Sequence, residues 1–340
     1  MTVKTDLYDK NITELTVALA DFDLPNYRIK QLHAAIHKNL ITDFDDITNL
    51  PLALREKLKE SCSISPAKIV KSVSAKDGTT KYLLELSDNN FIETVYIPKD
   101  NRGTLCISTM VGCPYGCIFC ASGKSGFTRN LTVSEILAQF YSIAKIHKIT
   151  NIVFMGIGEP LANYDNLIKA IRIIASPDGQ NMSPRHITVS TVGIIEGIRK
   201  LANEKLPLNL AVSLHSPFQD EREKLIPSAK SFTISEIIAA CHYYINRTGR
   251  KVSFEYTVIP GTNDKIADAN ELYRLTKNSQ IMVNLIPLNN EGKNIRENLT
   301  AAKEFANLLR EKGMEVAVRN SRGNDIFAAC GQLQTFSEKV

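Results

Sequence analysis

From the start of the chain to about position 65, apolar residues recur at helical spacing. Leu15 and Leu19 follow Asn11-Ile12-Thr13-Glu14, which has the form of a capping box. Ile29, Leu32 and Ile36 share one face of a second helix over 28–38. Leu50, Leu54 and Leu58 repeat in the same way around Pro51. These stripes predict a small helical bundle facing a core, with Tyr27, Arg28, Lys30, Lys38 and Lys57 on polar faces open to an RNA contact. Between 67 and 98 the period changes to two. Segments 68–74, 81–86 and 91–96 alternate, and Asp77-Gly78 and Asn89-Asn90 supply the turns of a β-meander.

From residue 104 a strand–helix unit repeats. Strands are predicted at 104–109, 151–155, 186–191, 208–213, 252–258 and 281–288, with a last one at 314–319. Helices open near Thr132, Asn163, Gly193, Thr233, Ile266 and Asn298, two of them with capping boxes, Thr132 to Glu135 and Thr233 to Glu236. Consecutive βα units require a parallel sheet with right-handed crossovers. Six units rather than eight make an incomplete barrel whose mouth can admit a macromolecule. The expected fold is therefore α/β, a partial (β/α)6 barrel with a small N-terminal helical domain and a β-meander. Residues 1–66 form the accessory domain, 67–100 the meander, 101–320 the barrel and 321–340 a tail expected to be exposed and mobile.

Composition narrows the compartment. No stretch approaches the roughly 18 to 20 apolar residues that span a bilayer, and the start, MTVKTDLYDK, lacks the apolar region of a signal peptide. A cytoplasmic protein without membrane contact is expected. Four of the seven cysteines crowd between positions 106 and 120. In a reducing compartment that crowding points to metal binding or redox chemistry rather than disulfides. Residues 1–100 hold 13 Lys and Arg against 15 Asp and Glu, which leaves 28 against 21 for the remainder. The mildly basic later part permits a polyanionic substrate without requiring one.

Cys113, Cys117 and Cys120 stand in the spacing C-x3-C-x2-C, wrapped by Pro114 and Gly116. Three thiolates within one short loop suit a [4Fe-4S] cluster with one iron left open. The competing readings are three structural thiols, or a zinc loop completed by Cys106. In parallel β/α folds reactive groups gather at the C-terminal ends of strands. There stand Gly156-Ile157-Gly158-Glu159-Pro160 after the second strand, Ser190 after the third, Ser213-Leu214-His215 after the fourth and Asn289 after the sixth. Such glycines admit a ligand close to the backbone, and Ser, His, Asn and Glu are suitable partners for its polar groups. Glu93, in the apolar run Phe91 to Pro98, is either an outward-facing strand residue or a base of raised pKa. Cys330 lies among small residues on the tail, whereas Cys62 and Cys241 are read as buried, inert thiols on helical faces.

Taken together these motifs resemble the RlmN/Cfr family of radical S-adenosylmethionine (SAM) RNA methyltransferases over nearly the whole chain. The matching pieces are YRIKQ, ETVYIP, TLCIST-x-VGC-x3-C-x2-C, GIGEP, ITVSTVG, SLHSP, NLIP and DI-x-AACGQL. The resemblance implies that Cys113, Cys117 and Cys120 ligate [4Fe-4S] and that Gly158, Glu159, Ser190, Ser213, Leu214, His215 and Asn289 bind SAM. It implies Cys330 as the methyl-accepting residue and Cys106 as its partner, with Glu93 at the family's proton-acceptor position and Cys106 competing for that role. One SAM would methylate Cys330; a radical from a second would take hydrogen from that methyl group, whose carbon adds to adenine. Cys106 and Cys330 would then release the product by forming a disulfide. The implied partners are 23S rRNA, tRNA and an electron donor such as flavodoxin, acting on a monomer. GIGEP resembles the RlmN branch, which methylates carbon 2 of adenine. YRIKQ and SLHSP resemble the Cfr branch, which methylates carbon 8, and the segment after Asn289 lacks the proline-rich run common in RlmN. Carbon 2 is the favoured reading. The readings that compete with the family are a metal-containing RNA-binding module without catalysis and a radical SAM enzyme for a small molecule.

Overall fold

The computed structural model describes residues 4–64, 67–289 and 294–334. The N-terminal bundle consists of α1 (Ile12–Ala18), α2 (Asn26–His37) and α3 (Leu52–Ser61), tied at its ends by a parallel pair, β1 (Thr5–Asp6) and β2 (Cys62–Ser63). The Asn11 and Glu14 side chains each accept the other's backbone N–H, at 3.0 and 2.9 Å, as the capping box predicts. Cys62 is buried as expected, but on β2 rather than on a helical face, because the chain extends there to pair with Thr5. His37, on the core-facing side of α2, docks the bundle onto the barrel: Nδ1 lies 2.7 Å from the Tyr141 hydroxyl and Nε2 3.0 Å from the Lys10 carbonyl oxygen.

The meander strands β3 (Lys68–Ser74), β4 (Thr80–Glu85) and β5 (Phe91–Lys99) run antiparallel, and β5 pairs with β6 (Arg102–Cys106). The first barrel strand ends at Cys106, short of the expected 109. A hairpin follows, β7 (Met110–Gly112) with β8 (Phe127–Asn130), and between its strands lie the cysteine loop and the short α4 (Ala121–Lys124). Five further parallel strands are β9 (Asn151–Phe154), β10 (Ile187–Thr191), β11 (Asn209–Ser213), β12 (Val252–Val258) and β13 (Ile281–Pro287), closed by β14 (Val316–Val318). Together with the meander they form one ten-stranded sheet in the order β14-β13-β12-β11-β10-β9-β6-β5-β4-β3. The meander thus continues the barrel wall.

Outside the sheet pack α5 (Val133–Ala144), α6 (Tyr164–Ala175), α7 (Ile195–Asn203), α8 (Gln219–Leu225), α9 (Ile234–Thr248), α10 (Ile266–Thr276) and α11 (Ile295–Glu311). The core between the layers holds Phe154, Val189, Val212, Phe254 and Val283, all without solvent exposure. Pattern reading did not find α8, whose sequence QDEREKL offers no apolar stripe. It also opened the last helix at Asn298. That residue lies inside α11 and donates from Nδ2 to the Leu288 carbonyl at 2.7 Å, bonding backwards instead of capping.

The bend between β6 and β7 is held by Gln139 of α5, which is fully buried. Its Oε1 accepts Ser108 N–H and its Nε2 donates to Ser108 O, both at 2.9 Å. Gln139→Leu leaves both Ser108 backbone groups buried and unpaired, at about 1 to 3 kcal/mol each. Urea unfolding of the variant should show a loss of that order with an unchanged m-value.

Candidate active site

The cysteine loop leaves the hairpin at a glycine that no other residue replaces. Gly112 has φ +77°, and a Cβ there would meet the Gly126 carbonyl oxygen at 2.0 Å. Cys113 N–H donates to that same oxygen at 2.8 Å. The hairpin is clamped from outside by Arg129, which bonds Asp88 at 2.7 Å and both oxygens of Glu135 at 2.8 Å. Cys113, Cys117 and Cys120 line one cavity of about 160 Å³. Burial pushes the Cys113 thiol up to about 11 and raises Cys117 as well. Among the described residues, no group of three or more His, Cys, Asp or Glu stands ready to hold a single metal ion. Cys106 is not a wall of this cavity, so the fourth ligand of the zinc alternative is missing there. A donor set of three soft thiols on one wall fits a cluster with one iron left open.

The opposite walls come from the strand ends. Gly158, Glu159, Ser190, Ser213, His215 and Asn289 all line the same cavity, as the sequence leads one to expect. Gly158 has φ +103°, and a Cβ there would strike Met110 at 2.6 Å. Glu159 is buried, and its two oxygens accept N–H from Val192 at 2.7 Å and Leu161 at 3.1 Å. It therefore braces the neighbouring strand end as well as facing the cavity. Burial raises its carboxyl to about 7, against those hydrogen bonds. His215 sits at φ +56°, accepts Thr257 N–H on Nδ1 at 2.9 Å, and packs edge-on to Phe119. Burial, with Arg222 second, holds its pKa down to about 3, so the ring is neutral. Leu214 is not brought to the cavity: its side chain is fully buried, and its N–H donates to the Glu255 carbonyl.

Further polar residues escaped the sequence reading, Arg319 on the cavity wall among them. Glu255 and Thr257 reach the cavity from β12, where Ser253, Glu255 and Thr257 alternate with Val252, Phe254, Tyr256 and Val258. That alternation is the signal of a strand with one face on a polar interior. Arg222 of α8 is wholly buried and bonds three backbone carbonyls, those of Val192, Ser213 and Phe232. No local pattern announces it.

The tail departs from expectation. Its last six residues lie outside the described ones, but up to Gln334 it packs against the barrel, with Ala328, Ala329, Gln332 and Leu333 buried. Ala328 and Leu333 complete an apolar cluster with Val95, Cys106 and Ile157, and this burial overrides the tail's loop character. Ala121 N–H donates to Gly331 O and Ser122 Oγ to Leu333 O, each at 2.7 Å, and Asn289 Nδ2 donates to Cys330 O at 3.1 Å. Cys330 lines the large cavity and shares a second, of about 60 Å³, with Cys106. Both cysteines are free thiols, and burial pushes Cys106 up to about 12. Glu93 is buried rather than outward-facing. It pairs with Lys81 at 2.8 Å, accepts Gln334 N–H at 2.8 Å, and lines neither cavity. Burial raises its pKa against the pull of Lys81.

A six-unit partial barrel with three cysteines in a loop beyond its first strand defines a radical SAM protein. The Radical SAM superfamily matches residues 107–273, and the ribosomal RNA large subunit methyltransferase N-terminal domain matches 5–64. The chain is 42% identical over its full length to a probable dual-specificity RNA methyltransferase RlmN of Lachnoclostridium phytofermentans, covering 97% of it. It is 45% identical to the one from Thermotoga maritima, with 97% of each chain covered. A radical SAM methyltransferase from Sphaerobacter thermophilus, solved by crystallography, superposes with a TM-score of 0.92 at 41% identity, covering 97% of this chain and 99% of that one. The chain belongs to the RlmN family of radical SAM RNA methyltransferases, and its cofactors are a [4Fe-4S] cluster and SAM. Among the described residues no helix is long and apolar enough to cross a membrane.

Glu159 gives the cluster-free protein a pH signature. Its carboxyl binds a proton more tightly folded, at about 7, than at its ordinary value of 4.5, so the folded state holds more protons between those values. Its contribution to stability therefore falls as pH rises through that window. Urea midpoints at pH 5 and pH 7 should show the decline, and Glu159→Gln should flatten it.

Proposed function

We propose that the chain methylates carbon 2 of an adenosine in the peptidyl-transferase region of 23S rRNA and of the adenosine 3′ of the anticodon in some tRNAs, through an S-methylcysteine intermediate. The observation that carries this reading is the position of Cys330, which lines both the cavity of the cluster-loop cysteines and the smaller one it shares with Cys106. Support for carbon 2 comes from Pro160 after Glu159 and from the dual-specificity RlmN names of the relatives.

When bound, the cluster and SAM supply a carbon-centred radical able to take hydrogen from a methyl group. Cys113, Cys117 and Cys120 hold the cluster as thiolates. Because burial favours the protonated form of Cys113 and Cys117, loading the site would release protons. Gly158, Glu159, Ser190, Ser213, His215 and Asn289 hold SAM, with Leu214 contributing only through the backbone position of its neighbours. The neutral His215 ring and the braced Glu159 keep that wall rigid. Cys330 carries the methyl group as a thioether beside Cys106. Cys106 shares a cavity with Cys330, whereas Glu93 lines neither cavity and is engaged by Lys81 and Gln334. Cys106, once it has lost its own thiol proton, is therefore the nearer proton acceptor. The Cys106 sulfur then attacks the Cys330 sulfur, and the sulfur–carbon bond to the product breaks. Its electron pair stays on the product's methyl carbon, which takes up a proton. The one electron left by the radical addition returns to the oxidised electron donor. The target base must be unstacked to reach this depth. Residues 1–66 serve as the RNA-binding accessory domain, and an electron donor such as flavodoxin supplies the electron to a cytoplasmic monomer.

The test is mass spectrometry of adenosine from a 23S rRNA fragment and a tRNA after anaerobic reaction with reconstituted enzyme, SAM and a reductant. Carbon-2 methyladenosine is expected from both, and none above background from Cys330→Ala. Product at carbon 8, or undiminished product from the variant, overturns the reading.

A further inference from the structure

Cys330 sits at the tip of a tight turn. Gln332 N–H donates to the Ala329 carbonyl at 3.1 Å, and Ala329 N–H donates to Gln332 Oε1 at 3.0 Å. Gly331, the third residue of that turn, has φ +81°, the left-handed value that favours glycine. Where the tip points is decided by what the turn is bonded to. From the cavity side, Ala121, Ser122 and Asn289 hold Gly331, Leu333 and Cys330 through the bonds already described. From the other side the turn is held at its two feet, Phe327 and Gln334.

Both feet belong to one ion pair of the meander. Lys81 of β4 and Glu93 of β5 approach to 2.8 Å, with side chains 17% and 4% exposed. Lys81 Nζ also donates to the Phe327 carbonyl at 3.2 Å, and Glu93 Oε2 accepts Gln334 N–H at 2.8 Å. The pair therefore closes a ring across the tail, with Cys330 inside it. A largely buried ion pair adds little net stability, because desolvation offsets its attraction. Its use here lies in direction, since the side-chain bonds it makes beyond itself go to the tail.

The same strand also places Cys106. Val95 of β5 stands opposite Cys106 of β6 in the ladder, and Thr94 Oγ1 donates to the Cys106 carbonyl at 2.6 Å. Glu93, Thr94 and Val95 thus fix both thiols against one short stretch of backbone. Neither Lys81 nor Glu93 lines either cavity, so neither touches the reacting atoms.

We propose that Lys81 and Glu93 are positioning residues whose ion pair clasps both feet of the Cys330 turn and holds that thiol where it lines both cavities. Glu93 then serves the reaction by holding the tail, not by taking a proton. The consequence for methylation rests on the reading of Cys330 as the methyl-accepting residue.

The first arm of the test needs no turnover. Amide hydrogen exchange of the reconstituted enzyme, read by peptide mass spectrometry, follows residues 328–334. In Lys81→Met exchange there should rise roughly tenfold, the scale of losing one hydrogen bond to a charged group, while β12 and β13 keep wild-type rates. Lys81→Arg, which keeps the charge and the donors, should recover most of the protection. Unchanged tail exchange in Lys81→Met overturns the proposal. If β12 and β13 lose protection too, Gln334→Pro decides, since it removes the N–H that Glu93 accepts without touching a strand. Faster tail exchange in it supports the clasp, and an unchanged tail overturns it.

The second arm adds SAM and a chemical reductant and compares two reactions of one site. Reductive cleavage of SAM should be unchanged in Lys81→Met, whereas methylation of Cys330 should slow roughly tenfold. A merely structural defect lowers both alike, so an equal loss overturns the proposal, as does methylation at the wild-type rate. A wild-type Cys330 that never gains a methyl group overturns the acceptor reading instead, and hydrogen exchange alone then decides the clasp.

Discussion

A single backbone hydrogen bond, 2.7 Å from Ala121 N to Gly331 O, joins the two segments on which the chemistry depends. One is the cysteine loop beyond the first barrel strand, and the other is the tail that ends the described chain. A second bond, from Ser122 Oγ to Leu333 O, reinforces it across 211 positions of sequence. Without these contacts the barrel would still offer a cavity and three cysteines, but Cys330 would not be one of its walls. Both bonds are short, the second is buried, and the apolar cluster of Val95, Cys106, Ile157, Ala328 and Leu333 supports them.

Burial is the recurring electrostatic theme. It raises Glu159 to about 7, Cys113 to about 11 and Cys106 to about 12, and lowers His215 to about 3. Each of these groups is driven toward its neutral form. Buried Arg222 is spread over three carbonyl dipoles, and Arg319 stands against Glu255 and Cys330.

Much of this was legible in the sequence, for a physical reason. Parallel strands advertise themselves as short apolar runs, and capping boxes such as Thr132 to Glu135 mark helix starts by local hydrogen bonding alone. The cysteine spacing and the glycines of Gly156 to Pro160 likewise act within a few residues. What stayed hidden depends on distant partners. For Glu93 the sequence left two readings open, an outward-facing residue or a base of raised pKa, because nothing near it announces Lys81 or Gln334. The tail looked loose because its apolar partners lie on strands far back in the chain. Arg222 and Arg319 look like ordinary surface cations until the fold surrounds them. Leu214 was included with its neighbours through a motif, yet just past the end of β11 its side chain is buried in the core.

The distance in sequence between the loop and the tail also orders events during synthesis. Chains emerge from the ribosome N-terminus first. The hairpin that frames Cys113, Cys117 and Cys120 is complete by Asn130, and the barrel strands follow one at a time. The segment holding Gly331 comes after β14. A nascent molecule therefore presents its three thiols through an unfinished wall, and the closing piece arrives only after every strand of the sheet has been made. The order of synthesis leaves the cysteine loop without its closing piece until the tail has been made.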